Sequence, residues 1–244
     1  MATYLLKKSY QLKDLKEIKF KNLWGTRGIF TTMWIYGSPP KILFFRQHIE
    51  NLIRSLKVYK LNKFNIKKNI KKIIKLNIKK NIKYEHLLRI AVNKNIISIS
   101  IRKRKKIKSK FKLKLINYKR EKPEYKNLKY KKILKYLSRI DPSKADIVLC
   151  SNNKLLETAT CNLLFVKKNK IYSPFNKFYK GITLRFFYKK IKSIIKKNIF
   201  INSLDLYDEI ILIGSGKGVV SVESVEKTNW KRKNLKTYRF LSKI

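Results

Sequence analysis

The stretch Glu157–Val166 decides the fold, and it reads Glu-Thr-Ala-Thr-Cys-Asn-Leu-Leu-Phe-Val. Its second half is a short apolar run of the kind that forms a buried β-strand. The 244-residue chain has 14 acidic residues against 62 basic ones, so a carboxylate just before such a strand is unusual here. Glu157 is therefore a candidate functional residue. The alternative is that Glu157 is a surface acid at the end of a strand.

Apolar strands and glycine turns continue on the C-terminal side of this stretch. We predict strands at 162–167, 170–173, 198–202, 209–213 and 219–225, and a helix from Ile182. The turn Gly181-Ile182-Thr183 opens the helix, and Gly214-Ser215-Gly216 follows an apolar strand. Helix N termini and glycine-rich turns bind phosphate through their backbone N–H groups. Both turns are therefore candidate phosphate sites.

The N-terminal side alternates strands with amphipathic helices. We predict strands at 28–35, 87–93, 96–102, 111–117 and 145–150, and helices at 46–61, 66–78 and 130–139. Segment 66–78 has lysines opposite its isoleucines, which is typical of a surface helix packed on a sheet, or alternatively of a helix on a membrane. The alternation predicts an α/β (α+β) fold with two domains, 1–102 and 111–244, joined by a basic linker at 103–110.

The composition is strongly basic, with a formal net charge of +48. Lysine occurs in almost every polar stretch together with Ile, Asn, Tyr and Phe, which indicates AT-rich coding. A nucleic-acid-binding function predicts clustering of the charge on one face. We therefore expect no specific nucleic-acid partner. Two cysteines, no signal-peptide pattern and no apolar run of about 18 residues predict a cytoplasmic protein without a membrane span.

Several segments, taken in order, resemble the class-IV aminotransferases, a family that includes branched-chain and D-amino-acid aminotransferases and 4-amino-4-deoxychorismate lyases. Residues 126–130, Lys-Asn-Leu-Lys-Tyr, resemble the family's Lys-Thr-Leu-Asn-Tyr, and 157–166 its Glu-x-x-x-x-Asn-(Ile/Leu)-Phe signature. Residues 28–32 are similar to its Gly-x-Phe-(Glu/Thr)-Thr strand, and 214–216 to its Gly-Thr-Ala turn. The resemblance implies the fold-type IV architecture, with a small N-terminal α/β domain and a larger C-terminal mixed-sheet, barrel-like domain.

This resemblance implies pyridoxal 5′-phosphate (PLP) as the cofactor and no metal. Lys126 would form the Schiff base with PLP, acting as nucleophile and then as base. Lys129 and Lys131 lie close by in the sequence and could be mistaken for it. Glu157 would pair with the pyridine nitrogen, which keeps the ring protonated. The PLP phosphate would be bound by Ile182, Thr183, Ser215 and Gly216, and the substrate by Thr31 and Arg89.

The chain also departs from the family pattern. Asn51 stands where an arginine normally binds the PLP phosphate, and Arg54 lies one turn further along the same predicted helix. Either Arg54 reaches back to the phosphate, or neutral groups alone hold it. Leu87 replaces an aromatic residue of the branched-chain enzymes, and His48 matches a family histidine that we expect to be structural.

The resemblance thus predicts a PLP-dependent lyase or aminotransferase. We favour 4-amino-4-deoxychorismate lyase, an enzyme of folate biosynthesis that releases pyruvate and 4-aminobenzoate, because the chain is short and its Phe-Thr-Thr at 30–32 resembles the lyases. The alternative is an aminotransferase of amino-acid metabolism that acts on branched-chain or D-amino acids. A nucleic-acid-binding protein and an inactive relative are further hypotheses. The family's usual state implies a homodimer.

Overall fold

The computed structural model describes residues 3–191 and 193–244, and the chain forms two compact units. Within the described residues, the first unit contains the chain up to Arg104 together with Tyr125–Lys131. The second contains Lys105–Glu124 and Lys132–Ile244. The mixed α/β fold predicted from the sequence is confirmed. The domain limits 1–102, 103–110 and 111–244 remain our proposal. No helix within the described ranges is both long and apolar enough to cross a bilayer.

The first unit is built on a six-stranded antiparallel sheet with two helices on one face. The strands are β1 (Tyr4–Gln11), β2 (Glu17–Ile18), β3 (Gly28–Gly37), β4 (Lys41–Ile42), β5 (Tyr84–Asn93) and β6 (Ile96–Lys103), and the helices are α1 (Phe45–Val58) and α2 (Ile66–Asn77). The strand order is β2-β1-β6-β5-β3-β4. Side chains alternate along β3, so Ile29, Met33 and Ile35 enter the core shared with the helices.

Helix α2 packs on this sheet through its isoleucines. Ile66, Ile70, Ile73 and Ile74 are buried in the same core cluster as Leu52 of α1. The lysines between them are exposed, which is the pattern of a surface helix of a globular protein. The structure therefore confirms the interpretation of 66–78 as a helix packed on a sheet.

A short segment that contains Lys126 runs along the free edge of β3. The Phe30 N–H donates to the Lys126 carbonyl at 2.8 Å, and the Leu128 N–H donates to the Gly28 carbonyl at 2.9 Å. A Cβ at Gly28 would lie 2.4 Å from the Val92 carbonyl oxygen and 2.5 Å from Leu128, so only glycine fits there. This pairing fixes Lys126 beside the start of β3.

Two further sheets form the second unit. Its strands are β7 (Lys112–Asn117), β8 (Ala145–Ser151), β9 (Lys154–Thr158), β10 (Asn162–Lys167), β11 (Lys170–Pro174), β12 (Ile194–Lys197), β13 (Glu209–Gly214), β14 (Gly218–Ser221) and β15 (Ser224–Val225). The helices that follow β7 are α3 (Lys131–Leu137), α4 (Ile182–Lys190) and α5 (Lys236–Leu241). The sheet orders are β12-β11-β10-β13-β14 and β15-β7-β8-β9.

The strand predicted at 198–202 is wrong. Strand β12 ends at Lys197, and Ile201–Leu206 forms a 3₁₀-helix. Ile199, just before this helix, and Leu204, within it, are both buried. Apolar residues here therefore pack into the core without forming a strand. Short apolar runs do not distinguish the two by periodicity. The strand predicted at 219–225 is present, but it is divided into β14 and β15.

Candidate active site

Lys126 is a half-buried amine beside a cluster of aromatic rings. Its Nζ lies 5.3 Å from the centroid of the Phe30 ring. Phe30 packs edge-on against Trp24 at 4.7 Å and against Tyr130 at 5.5 Å. Lys129, by contrast, is exposed. A nucleophilic lysine needs a site that is partly shielded from water and still accessible to its partner. The local environment therefore favours Lys126 over its neighbour.

His48 and Thr31 form a buried pair on the face of the first sheet that α1 covers. Thr31 Oγ1 and His48 Nδ1 are 2.8 Å apart. Burial, and to a smaller extent the charge of Lys126, lowers the pKa of His48 from 6.5 to about 3. The imidazole is thus neutral at physiological pH. This geometry agrees with a structural histidine.

Thr31 does not share a sheet face with Arg89, although both are sequence-predicted substrate residues. Thr31 points toward α1, whereas Thr32, the next residue, is the register partner of Arg89 across β3 and β5. The physical reason is strand alternation, which sends neighbouring side chains to opposite faces. The structure therefore moves the substrate-contact proposal on β3 from Thr31 to Thr32.

We call the sheet face that carries Thr32, Arg89 and Arg102 the arginine face. Arg89 pairs with Ser100 on β6, and Arg102 pairs with Leu87, so the two arginines are diagonal neighbours. Neither side chain has an ion pair or hydrogen bond within the residues that the structure describes. Burial lowers the pKa of Arg89; the Tyr4 hydroxyl opposes this lowering, and the nearby charge of Arg102 adds to it.

Two tryptophans add to the arginine face. The Arg89 guanidinium carbon lies 4.7 Å from the centroid of the Trp24 ring, which is cation–π geometry. The Trp34 Nε1 is buried and has no hydrogen-bond partner among the described residues. Buried donors are normally paired, so this indole N–H is an exception within the described residues. The face combines cationic and aromatic groups that suit an anionic ring compound.

Glu157 is the buried carboxylate of the second unit. It lies on β9 with 6% of its surface exposed, which excludes the alternative of a surface acid. The Arg120 Nε and Nη2 contact Glu157 Oε1 at 2.8 and 2.7 Å. The Tyr179 N–H lies 3.3 Å from Glu157 Oε2. Arg120 escaped the sequence analysis because one arginine among 62 basic residues carries no signal.

Asn162 holds the segment that leads into α4. Its Nδ2 donates to the Tyr179 carbonyl at 2.6 Å, and its Oδ1 accepts from the Gly181 N–H at 3.0 Å. A Cβ on Gly181 would lie 2.6 Å from Asn162 Oδ1, so this approach requires glycine. Asn162 therefore shapes the backbone before the helix.

The two predicted phosphate elements meet in the second unit. Thr183 Oγ1 lies 2.9 Å from Ser215 Oγ, and α4 begins after Gly181 without a side-chain cap. Ser215 sits in the turn between β13 and β14. The Lys217 Nζ on that turn pairs at 3.0 Å with Asp146 Oδ2, whose side chain is fully buried. Two hydroxyls and the N–H groups at the start of α4 form a cradle that suits a phosphate dianion.

Arg54 is a residue of helix α1 in the first unit. Its side chain is exposed on α1. The pKa of the Glu50 carboxyl is lowered mainly by a hydrogen bond from Arg46, and the charge of Arg54 contributes a small part. The buried face of α1 instead carries His48, Leu52 and Ser55. The structure thus gives no support to a phosphate contact by Arg54.

These residues fit PLP. A half-buried amine can bond to its aldehyde, a buried ionised carboxylate can hold the proton on its ring nitrogen, and hydroxyls at a helix N terminus can bind its phosphate. Each of these groups thus has the chemistry that one part of PLP requires.

The family comparison identifies the chain more closely. The model of the family described as amino-transferase class IV matches residues 28–225, and the chain belongs to this family. Its members depend on PLP. No curated protein matches the chain significantly.

Solved structures agree on the fold. A branched-chain aminotransferase of Thermoproteus uzoniensis with norvaline has 15% identity, covers 98% of this chain and 94% of its own, and has a TM-score of 0.75. A Legionella pneumophila protein named putative 4-amino-4-deoxychorismate lyase has 20% identity, coverages of 87% and 88%, and a TM-score of 0.67. A PLP-bound hypothetical aminotransferase of Mycobacterium tuberculosis has 12% identity, coverages of 98% and 98%, and a TM-score of 0.73.

Proposed function

We propose that the protein is a 4-amino-4-deoxychorismate lyase. The observation that carries this proposal is the pair Arg89 and Arg102 on the arginine face. Two like charges on diagonal positions repel, and neither guanidinium has an acidic partner within the described part of the chain. A substrate with two carboxylates would relieve this repulsion. Aminodeoxychorismate has one carboxylate on its ring and one on its enolpyruvyl group.

The aromatic cluster beside Lys126 supports the same substrate. Trp24, Phe30 and Tyr130 present ring surfaces around the amine, with Trp24 and Tyr130 stacked at 5.6 Å. Flat apolar surfaces bind a six-membered ring through dispersion and desolvation. A small aliphatic amino acid would use little of this surface.

The chain's own residues have distinct roles in this proposal. Lys126 would bond to PLP and, after the substrate amine replaces it, would accept the proton from the ring carbon that carries the amine. The C–O bond at the neighbouring ring carbon would then break, and the enolpyruvate that leaves would take up a proton to become pyruvate. Glu157 holds the proton on the pyridine nitrogen, and Thr183, Ser215, Ile182 and Gly216 bind the phosphate. When bound, PLP supplies an electron sink for the carbon that loses the proton. Pyruvate and 4-aminobenzoate are the products.

An aminotransferase for branched-chain or D-amino acids is the second candidate. The fold shared with the Thermoproteus enzyme favours it, since the same lysine and glutamate can serve transamination. A monocarboxylate amino acid, however, would leave one of the two arginines without an anion. Arg102 therefore separates the two candidates.

The test compares both reactions in one preparation. The holoenzyme is incubated with aminodeoxychorismate, or with an amino acid plus a 2-oxo acid, and 4-aminobenzoate or keto-acid exchange is measured. We expect 4-aminobenzoate, with kcat/KM lowered about 10-fold or more by Arg89→Met and by Arg102→Met. Arg27→Met, an exposed arginine of the same unit, is the control. Exchange without 4-aminobenzoate would make the protein an aminotransferase.

The same preparation tests Lys126. Borohydride reduction should fix PLP on the peptide that contains Lys126, and Lys126→Ala should abolish this labelling. Lys129→Ala, which removes the exposed neighbour, should leave it intact. Labelling of Lys129 or Lys131 instead would reject the assignment of Lys126.

A further inference from the structure

Arg120 forms a buried ion pair with Glu157, and the proposed reaction gives Arg120 no role of its own. Arg120 is 4% exposed and Glu157 is 6% exposed. The Arg120 Nε and Nη2 both contact the same carboxylate oxygen, Glu157 Oε1, at 2.8 and 2.7 Å. Arg120 Nη2 also donates to the Pro123 carbonyl at 2.7 Å, which fixes the guanidinium itself.

We propose that Arg120 is a positioning residue that keeps Glu157 ionised and aims its carboxylate. This inference rests on the proposed role of Glu157 at the pyridine nitrogen of PLP. Arg120 touches neither substrate nor cofactor in this scheme. It acts through Glu157 alone.

The carboxyl group of Glu157 is buried. A carboxyl group out of water tends to take up a proton, and a protonated carboxyl cannot hold the proton on a ring nitrogen. A guanidinium keeps its charge at any physiological pH, so it favours the carboxylate permanently. Glu157 therefore needs a constant cation close by, and Arg120 is at hydrogen-bonding distance.

The geometry of the pair adds orientation to charge. Because both guanidinium contacts converge on Oε1, that oxygen is fixed by two donors. Oε2 is approached by the Tyr179 N–H at the longer distance of 3.3 Å. The guanidinium fork thus limits the rotation of the carboxylate. A lysine would supply the charge without the two-pronged fork.

The experiment reads the protonation state of the cofactor rather than turnover. Holoenzyme is prepared with PLP labelled with ¹⁵N at the pyridine nitrogen, and the ¹⁵N chemical shift is followed from pH 6 to pH 9. The variants are Arg120→Met, Arg120→Lys and Glu157→Gln. Arg232→Met is the matched control, because Arg232 is a half-buried arginine of the same unit that bonds to Ser221.

We expect a protonated nitrogen in the wild type, in Arg232→Met and in Arg120→Lys, and an unprotonated one in Arg120→Met and Glu157→Gln. A change in Glu157→Gln but not in Arg120→Met would overturn the role of Arg120 alone. No change in Glu157→Gln would reject the proposed contact of Glu157 with the ring nitrogen, and the role of Arg120 with it.

If Arg120→Met binds PLP poorly, the ¹⁵N measurement cannot be made on it. Thermal unfolding of the full chain then provides a second test. An unpaired buried carboxylate should lower the Tm of Arg120→Met by roughly 5 °C or more. Adding Glu157→Gln to that variant removes the charge and should restore part of the loss. A double variant less stable than Arg120→Met would show that Arg120 has a general packing role and would overturn the proposal.

Discussion

At the residue scale, burial gives His48 a property that its sequence position does not reveal. The imidazole is packed under the first sheet with Thr31 as its hydrogen-bond partner. Charging it would place a cation in an apolar core near the positive charge of Lys126. The pKa of His48 is accordingly lowered to about 3. The His48 imidazole is therefore neutral in the folded protein at physiological pH.

This lowered pKa predicts a loss of stability in mild acid. The unfolded chain binds a proton on His48 below about pH 6.5, whereas the folded chain does not until about pH 3. The free energy of unfolding should thus fall as the pH drops from 7.5 to 5.5, by about 1 kcal/mol for this group. His48→Asn should remove this component of the pH dependence, as measured by denaturant unfolding at the two pH values.

The second histidine provides the control for this prediction. The chain has 2 histidines, and His86 is half-buried on β5 rather than buried. His86→Asn should keep most of the stability loss between pH 7.5 and 5.5. An equal pH dependence in the wild type and in His48→Asn would contradict the argument.

The site residues differ in how readily the sequence alone identifies them. Glu157 and Lys126 could be found because each lies in a segment that resembles a family motif, and the rarity of acids in the chain makes the match at Glu157 more informative. Arg120 and Arg102 could not, since each is one of 62 basic residues and only the fold brings it to a partner or a face. The position of Thr31 under α1 could not be predicted either, because the pattern does not show which face of β3 the helices cover.

At the scale of elements, the start of α4 and the β13–β14 turn act together. Each turn separately is a common glycine turn, but the hydroxyls of Thr183 and Ser215 lie 2.9 Å apart. Asn162 fixes the approach to α4, and the Asp146–Lys217 pair fixes the turn. Two independently anchored elements thus place their donors in one cradle. We propose that this cradle holds the PLP phosphate without Arg54.

This cradle predicts which substitutions weaken cofactor binding. Thr183→Val and Ser215→Ala should each raise the PLP dissociation constant about 10-fold, because each removes a hydrogen bond to a charged group. Arg54→Ala should leave the constant unchanged, since that side chain is exposed on α1. Fluorescence titration of the PLP-free protein measures all three. Weaker binding in Arg54→Ala alone would restore the arginine hypothesis and reject the neutral cradle.

Element prediction succeeded where a pattern was long and failed where it was short. The periodic segments 46–61 and 66–78 correspond to α1 and α2, because twelve or more residues define a helical face. The segment 198–202 failed because Ile199 and Leu204 satisfy a turn of 3₁₀-helix. Strand β1 was not predicted either, since its lysines interrupt the alternation of apolar residues.

At the scale of the whole molecule, the charge of +48 follows from lysines spread over most elements. They occupy the exposed side of α2, the end of α4 and the edge strand β12. Acidic residues are few, and several are already paired, as Glu17 is with Lys8 and Glu50 with Arg46. Such a surface attracts any polyanion through long-range electrostatics. It has no selectivity of its own.

Binding to nucleic acid should therefore be electrostatic and nonspecific. Lysines on a solvated surface release counterions from phosphates, so affinity should fall by a factor of about 10³ or more between 50 and 200 mM salt. Oligonucleotides of equal length and different sequence should bind equally, because sequence is distinguished by contacts to base edges. Fluorescence anisotropy at several salt concentrations measures both properties, with a sulfated polysaccharide as a competitor that lacks bases. Sequence-selective binding that persists at physiological salt would show that some of these lysines form a dedicated site, and would contradict coding bias as the origin of the charge.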